Sequence, residues 1–136
     1  GNLICPRTPR PVILGYRTAS FSAPGSPGTG ADITGTALAV IVPAGRNLRL
    51  SCRVNAGQVS STTDYRLIAH ARESSADLGI LGEMFGNGTI AHTNNAQING
   101  SLIISPTAGL HTYSIRVTLS TTNLTGGSAQ IWAELV

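Results

Sequence analysis

Apolar and polar residues alternate with a period of two along most of this chain. In the segment Leu48–Val54 every second residue is apolar and the residues between are arginine or serine, and Tyr113–Leu119 repeats the alternation. Because successive side chains of a strand point to opposite faces, each such segment has one apolar and one polar side. Clusters of Gly, Pro, Asn and Ser separate the segments. The pattern therefore predicts an all-β protein.

About eight strands are predicted, and turn residues occupy the breaks between them. We place the strands at residues 12–18, 36–42, 47–54, 65–72, 78–85, 97–104, 111–119 and 129–136. The breaks Pro43-Ala44-Gly45 and Pro106-Thr107-Ala108-Gly109 are typical of tight turns, since Pro presets φ at one corner. Eight strands on this spacing favour a jelly-roll-like antiparallel β-sandwich.

Residues 71–84 are the one stretch in which a helix competes with strands. Leu78, Leu81 and Met84 have a spacing that would place them on one side of a helix. Two glycines lie among them, and each costs about 1 kcal/mol relative to Ala inside a helix. The polar run at residues 73–77 fits the loop of a hairpin better, so we predict two strands here.

The length of 136 residues fits a single domain. Residues 1–11 hold three prolines, which favour an extended backbone, so we expect a Pro-rich lead-in there and one β-sandwich domain over residues 12–136. Charged residues make up only 11% of the chain, about half of the usual quarter. A surface with so few charges favours a domain that buries part of its surface against other subunits. We expect a homotrimer.

The net charge of +3 does not by itself indicate nucleic acid as a partner. All nine basic residues are Arg, they are dispersed along the chain, and only 4% of residues are aromatic. Nucleic-acid binding calls for a basic cluster or stripe with interleaved aromatics, so we predict no nucleic-acid partner. The longest apolar runs, such as Leu38–Val42, are far shorter than a bilayer span of about 20 residues. We predict no membrane insertion.

Catalytic and metal-binding patterns are absent from the sequence. The acids are Asp32, Asp64, Glu73, Asp77, Glu83 and Glu134. None lies in a recognisable motif, and a glycosidase pair brought together by folding is the enzymatic alternative. A symmetric trimer could bring three copies of His70, His92 or His111 around one metal ion, but ordinary hydrogen-bonded imidazoles are the simpler interpretation. We predict no enzyme activity, no metal and no cofactor.

Two places are candidates for binding. Tyr65, Arg66, His70 and Arg72 follow one another on a predicted strand, and the period-two rule puts the two arginines and the histidine on the same face. Arginine forks hydrogen-bond sugar hydroxyls or pair with anionic polymers, although these residues could serve only solubility. Trp132 is predicted to point outward from the last strand, where it would either stack on a sugar or anchor a subunit interface.

The two cysteines give little information. Cys52 falls on the apolar side of its strand and is expected to behave as a small buried hydrophobe, while Cys5 lies in the lead-in. A bridge between them is left open.

Three motifs resemble those of tail-fibre and minor tail proteins of phages that infect actinobacteria. The segment Val42–Leu50 resembles a strand–turn–strand near the end of such proteins. Ala71-Arg72-Glu73 with Leu78-Gly79 is similar to their central hairpin, and Pro106–Ile115 to a late turn and strand. Together the motifs cover most of residues 12–136.

The resemblance implies a trimeric jelly-roll domain at the end of a virion appendage, facing the outside. It leads us to expect a receptor-binding head that binds the host cell surface, through an envelope glycan, and contacts other virion tail proteins. A purely structural virion module, either a fibre trimerisation cap or a capsid decoration, is the first alternative. A carbohydrate-binding module of a secreted enzyme is the second.

Overall fold

All regular structure in the described part of the chain is β-strand. The computed structural model describes residues 12–21, 31–56, 59–60, 64–86, 96–119, 123–124 and 126–136. The strands are β1 (Val12–Phe21), β2 (Ala31–Val42), β3 (Leu48–Ala56), β4 (Val59–Ser60), β5 (Tyr65–Glu73), β6 (Ala76–Gly86), β7 (Ala96–Ile104), β8 (Gly109–Leu119), β9 (Asn123–Leu124) and β10 (Gly127–Leu135). The predicted lead-in, residues 1–11, lies outside the described residues.

Two four-stranded antiparallel sheets form the sandwich. The first sheet has the order β1-β10-β3-β7, and the second sheet has the order β2-β8-β5-β6. The short strands β4 and β9 pair separately. Of the long strands that follow each other in sequence, only β5 and β6 are neighbours within a sheet, so the chain otherwise crosses from one sheet to the other. This is the jelly-roll arrangement, which confirms the predicted fold class.

Seven of the eight predicted strands match observed strands to within three residues at either end. The hairpin predicted in place of a helix is confirmed, with its turn at Ser74 and Ser75. Two points differ from the prediction. The short strands β4 and β9 were not predicted, and β2 begins at Ala31 rather than at residue 36.

An irregularity in the pairing of β2 explains its misplaced start. The register with β8 shifts between Ile33 and Leu38. The buried Thr36 hydroxyl fills the gap: it donates to the Ile33 carbonyl oxygen at 2.5 Å and accepts from the Ile115 amide nitrogen at 3.0 Å. A side-chain oxygen thus replaces the missing ladder contact for the Ile115 amide.

The inner faces of both sheets supply the core. Its buried apolar side chains are Ile33, Leu38, Val40, Val42, Leu48, Leu50, Cys52, Val54, Leu67, Ala69, Ala71, Leu81, Ile98, Tyr113, Ile115, Val117, Ala129, Ile131, Ala133 and Leu135. Cys52 is a free thiol inside this core, as its place on the apolar side of β3 predicted. Burial raises the pKa of the Cys52 thiol to about 11.

Two glycines allow the strands β6 and β7 to approach closely at one edge of the sandwich. A Cβ atom on Gly100 would overlap the carbonyl oxygen of Leu81, and a Cβ atom on Gly82 would lie 2.6 Å from the Ile98 side chain. The backbone can come this near only because neither residue has a side chain. The two glycines therefore determine how short the distance between β6 and β7 can be at this edge of the sandwich.

We expect Gly100→Ala to destabilise the fold. The overlap with a backbone oxygen cannot be relieved by turning a side chain, so the free energy of unfolding should fall by about 1–3 kcal/mol or more. The neighbouring exposed Ser101 offers a matched control, since Ser101→Ala should change it by less than about 0.5 kcal/mol. Urea denaturation of both variants measures the difference, and equal midpoints would contradict the close-approach argument.

Candidate functional site

The outer face of the second sheet carries the arginine–histidine cluster predicted from sequence. Leu67, Ala69 and Ala71 are buried, so the alternating residues Arg66, Ile68, His70 and Arg72 point outward. Two register shifts between β5 and β6, at Ala69/His70 and Ala71/Arg72, do not disturb this alternation. The backbone of Tyr65 pairs with Gly86 at the end of β5, and its side chain is not among those described. We call this surface the charged face; its titratable residues are Asp32, Arg66, His70, Arg72, Asp77, Glu83 and Arg116.

Arg66 is engaged by its own sheet. Its Nε donates to Glu83 Oε2 at 2.7 Å, and its Nη2 contacts the same oxygen. The guanidinium carbon also lies 5.5 Å from the centre of the Phe85 ring. The guanidinium is therefore held between a carboxylate and an aromatic ring of β6.

The other cations of the charged face also have carboxylate neighbours. Asp32 Oδ1 lies 3.9 Å from Arg72 Nε and 4.0 Å from Arg116 Nε. His70 Nδ1 lies 3.2 Å from Asp77 Oδ2, and its Nε2 lies 3.2 Å from the Thr118 hydroxyl. Three carboxylates thus stand beside three arginines, and the face is close to neutral as a whole. A ligand anion would compete here with the carboxylates that lie beside the cations.

Trp132 points outward from the first sheet, as predicted. Its neighbours Ile131 and Ala133 are buried, which leaves the indole on the outer side. In the register, Trp132 lies opposite Tyr16 of β1 on one side and Ser51 of β3 on the other. Ser51 is only 5% exposed although it points outward, so larger side chains around it cover it. We call this surface the aromatic face; its outward residues on β1, β10 and β3 are Ile13, Tyr16, Thr18, Ser20, Ser128, Gln130, Trp132, Glu134, Arg49, Ser51, Arg53 and Asn55.

An open depression lies between β1 and β10 on the aromatic face. Its volume is about 270 Å³, and it is lined by Ile13, Tyr16, Gln130 and Trp132. Ile13 and Tyr16 are 64% and 65% exposed, so both offer apolar surface to a ligand. The indole Nε1 of Trp132 donates to Glu134 Oε1 at 3.2 Å, which orients the ring. The depression thus combines two aromatic side chains with the amide of Gln130.

Sequence reasoning found Trp132 but missed Tyr16 and Ile13. The first and last strands of the chain become neighbours only in the folded sheet, with Tyr16 opposite Trp132. A signal in the sequence was the position of Tyr16 on a predicted strand. The identity of the neighbouring strand was not available from alternation alone.

Two arginines of β3 continue the aromatic face away from the depression. Arg53 lies next to Gln130 in the register and is exposed. With the Gln97 amide oxygen turned towards it, Arg53 donates from Nε at 2.7 Å and from Nη2 at 3.2 Å. Arg49 lies next to Glu134. Arg53 therefore has a neutral partner, and its charge is not cancelled by a carboxylate.

His111 forms a separate charged pair at one end of the core. Its Nδ1 lies 2.6 Å from Glu73 Oε1, and its Nε2 lies 2.7 Å from the Thr107 carbonyl oxygen. Both neighbours are acceptors, so this geometry favours the imidazolium form, in which both ring nitrogens donate. The hydrogen bond to Glu73, with a smaller contribution from the Thr107 carbonyl, raises the pKa of His111 above its ordinary 6.5.

Tyr113 lies beneath this pair. Its ring stacks on His111, with centroids 5.8 Å apart and planes 7° from parallel. Burial raises the pKa of Tyr113 to about 12, and the Glu73 carboxylate acts in the same direction. The pair joins the end of β5 to the start of β8, and the Thr107 carbonyl connects it to the preceding turn.

No group of three or more His, Cys, Asp or Glu residues that could hold a metal ion comes together in the part of the chain that the structure describes. His92 lies outside that part. In the same ranges, no helix is long and apolar enough to cross a membrane.

Comparison with known proteins gives similarity of fold only. No protein family and no curated protein matches the sequence. The structure of infectious bursal disease virus, Gx strain, matches 100% of this chain at 10% identity with a TM-score of 0.54. The crystal structure of the VP2 subviral particle of infectious bursal disease virus matches 98% of it at 11% identity, also with a TM-score of 0.54. This chain spans 36% of each of those chains, about a third of their length.

A carbohydrate-binding module, CBM6cm-2 from Cellvibrio mixtus lichenase 5A in complex with cellotriose, matches 91% of the chain at 14% identity. Its TM-score of 0.38 is too low to support a conclusion about fold or ligand. The matches above that level show that this jelly-roll sandwich is shared with proteins of virus particles.

The Glu73–His111 pair should make stability fall as the pH rises. The pKa of His111 is raised in the folded chain, so its contribution to the free energy of unfolding is fully present below about pH 6.5 and is lost as the pH passes the raised pKa. The difference between wild type and Glu73→Gln should therefore shrink from about pH 6 to about pH 9 in urea denaturation.

The matched control for this experiment is Glu83→Gln. Its carboxylate pairs with an arginine, Arg66, and not with a histidine, so its effect on the free energy of unfolding should not vary with pH. A pH-independent effect of Glu73→Gln would show that His111 is not held as an imidazolium.

Proposed function

We propose that this chain is the host-binding domain of a virion tail appendage, and that it attaches to an envelope glycan through the aromatic face. The observation that carries the proposal is the depression lined by Tyr16 and Trp132 on the outer side of the first sheet. The fold shared with virus-particle proteins supports a place in a virion. The resemblance of three sequence motifs to phage tail proteins supports a tail appendage.

The chemistry of the depression suits a sugar. The apolar face of a sugar ring packs on aromatic rings, and the exposed Tyr16 and the half-buried Trp132 provide them. The amide of Gln130 can both donate to and accept from sugar hydroxyls. Both aromatic residues lie on paired strands, so the site is largely formed before the ligand arrives.

A single site of this kind should be weak, because it is shallow and open to solvent. We expect a dissociation constant of roughly 1 mM, equivalent to about −4 kcal/mol. Three linked copies in a homotrimer would raise the avidity by about 10²-fold or more without any new contact. Weak single sites on a multivalent particle are thus sufficient for adsorption.

The charged face is the weaker candidate for the receptor site. Arg66, His70 and Arg72 share one face, but each has a carboxylate beside it. A role for these residues and for Tyr65 in ligand binding stays a prediction. The distinction between the two faces can be tested with variants of each.

A structural virion module is the second candidate function. Ile41 and Leu110 lie opposite each other in the register of β2 and β8 and are 72% and 71% exposed. This apolar pair on the second sheet points away from the aromatic face, and contact with another subunit or another tail protein would cover it. Such a contact is compatible with glycan binding on the opposite side.

The third candidate, a carbohydrate-binding module of a secreted enzyme, would use the aromatic face in the same way. This candidate and the virion candidates predict different segments upstream of the domain in the gene. A glycosidase or peptidase domain encoded upstream would favour it, whereas a fibrous or coiled-coil segment would favour the virion. In either case we propose that this domain itself has no catalytic activity and needs no cofactor.

Trp132→Ala should abolish most of the binding to host cells. A fluorescently labelled protein should label susceptible bacteria, and loss of the indole should lower that labelling at least tenfold, because it removes one wall of the depression. The variant should remain folded, since the indole is outside the core.

The matched control is the double variant Arg66→Ala, Arg72→Ala on the charged face. It should label cells as well as wild type does. Equal loss in both variants would move the receptor site away from the aromatic face. If wild type labels no susceptible host and virions that lack this domain adsorb normally, the structural module replaces the proposed function.

The domain should form a homotrimer, so light scattering should give three times the chain mass of 14.0 kDa. Leu110→Glu places a charge in the exposed apolar pair and should shift the protein towards the monomer, whereas Thr112→Glu, on the same face two residues away, should do so less. A monomer at concentrations of about 100 µM would contradict the trimer.

A further inference from the structure

We infer that the glycan is anionic and that it lies across the aromatic face from the Tyr16–Trp132 depression to Arg53. The inference rests on the proposed function and names the class of ligand. It follows from the unequal distribution of charge between the two outer faces and from the position of Arg53 in the first sheet.

The two outer faces differ in how their arginines are compensated. On the charged face, the three arginines are matched by three carboxylates within ion-pair distance or in the same cluster. The aromatic face has Arg49 and Arg53 but only one carboxylate, that of Glu134.

The placement of the acids accounts for this difference among the described residues. All six of its acidic residues are within the described ranges. Asp32, Asp77 and Glu83 belong to the charged face, Glu73 pairs with His111, and Asp64 immediately precedes β5 of the second sheet. Glu134 alone is on the aromatic face, where it accepts the Trp132 Nε1 hydrogen bond. An anion approaching the aromatic face thus meets an excess of arginine.

The position of Arg53 connects this charge to the depression. Gln130 lines the depression, and Arg53 is its direct neighbour on the adjacent strand. With strands about 4.8 Å apart and outward residues about 6.7 Å apart along a strand, the backbone positions of Trp132 and Arg53 are about 8 Å apart. A short oligosaccharide stacked on Trp132 would therefore bring a neighbouring sugar over Arg53.

The guanidinium of Arg53 is suited to a carboxylate or phosphate on that sugar. The neutral Gln97 amide oxygen accepts from Nε and Nη2, so the Nη1–Nη2 edge and the positive charge are left for an anion. Arginine presents its donors as a planar fork that matches both kinds of anion. The fork is oriented in advance by Gln97, which lowers the entropy lost on binding.

Binding to polygalacturonic acid and to its fully methyl-esterified form tests the inference. The two polymers share a sugar backbone and differ in charge. At about 50 mM salt, the immobilised wild-type domain should bind the acid form at least tenfold more tightly than the ester. Arg53→Gln should reduce binding of the acid form to that of the ester, and Arg53→Lys should retain part of the difference because it keeps the charge without the fork.

Arg72→Gln, on the charged face, is the matched control and should leave the preference unchanged. Raising the salt to about 500 mM should weaken binding of the acid form and leave the ester unaffected. Melting curves of the two Arg53 variants should coincide with wild type, since the Arg53 side chain is exposed.

Each remaining outcome has a definite consequence. Equal binding of the acid and ester forms would overturn the anionic inference and leave the proposed function intact. Binding of neither polymer would also overturn it, and the proposed function would then be judged by the labelling of host cells. Tighter binding of an oligo-dT strand than of the acid form would replace a glycan by nucleic acid as the occupant.

Discussion

Burial of one face of each sheet is the constraint on which the rest of this molecule depends. Because strand side chains alternate, the apolar residues that fill the core force every second residue of β3 and β10 outward. Ile131 and Ala133 in the core place Trp132 outside, and Cys52 in the core places Arg53 outside. The candidate site is therefore a direct consequence of the core, and a one-residue slip in register would remove both.

Alternation and turn residues predicted the strands and the faces of their residues, but they carried no information on which strands become neighbours. The outward position of Trp132 followed from β10 alone. Its contact with Tyr16 did not, because those residues are far apart in sequence and meet only through the pairing of β1 with β10. For the same reason, the sequence did not predict that carboxylates of neighbouring strands lie beside Arg66 and Arg72. The Thr36 hydroxyl bridges an irregular stretch of β2, and the period-two pattern of the sequence did not predict that bridge.

The two outer faces illustrate how one fold separates stability from recognition. The charged face contains nearly as many negative as positive groups, arranged as cross-strand neighbours, and such pairs limit what an external ion can gain. On the aromatic face, Tyr16 and Arg53 are exposed and Trp132 is half-buried. Arg53 hydrogen-bonds Gln97, and the Trp132 indole donates to Glu134. Placement on strands also keeps these groups in fixed relative positions, which a loop would not do.

The most direct test of this account is to map binding on the backbone of the isotopically labelled domain. Addition of an envelope polysaccharide from a susceptible host should shift amide resonances of β1, β10 and β3, around Tyr16, Gln130, Trp132 and Arg53. Amide resonances of β5, β6 and β8 should stay in place. Shifts confined to the strands of the second sheet, or no shifts at a concentration at which the polysaccharide blocks adsorption, would contradict a glycan site on the aromatic face.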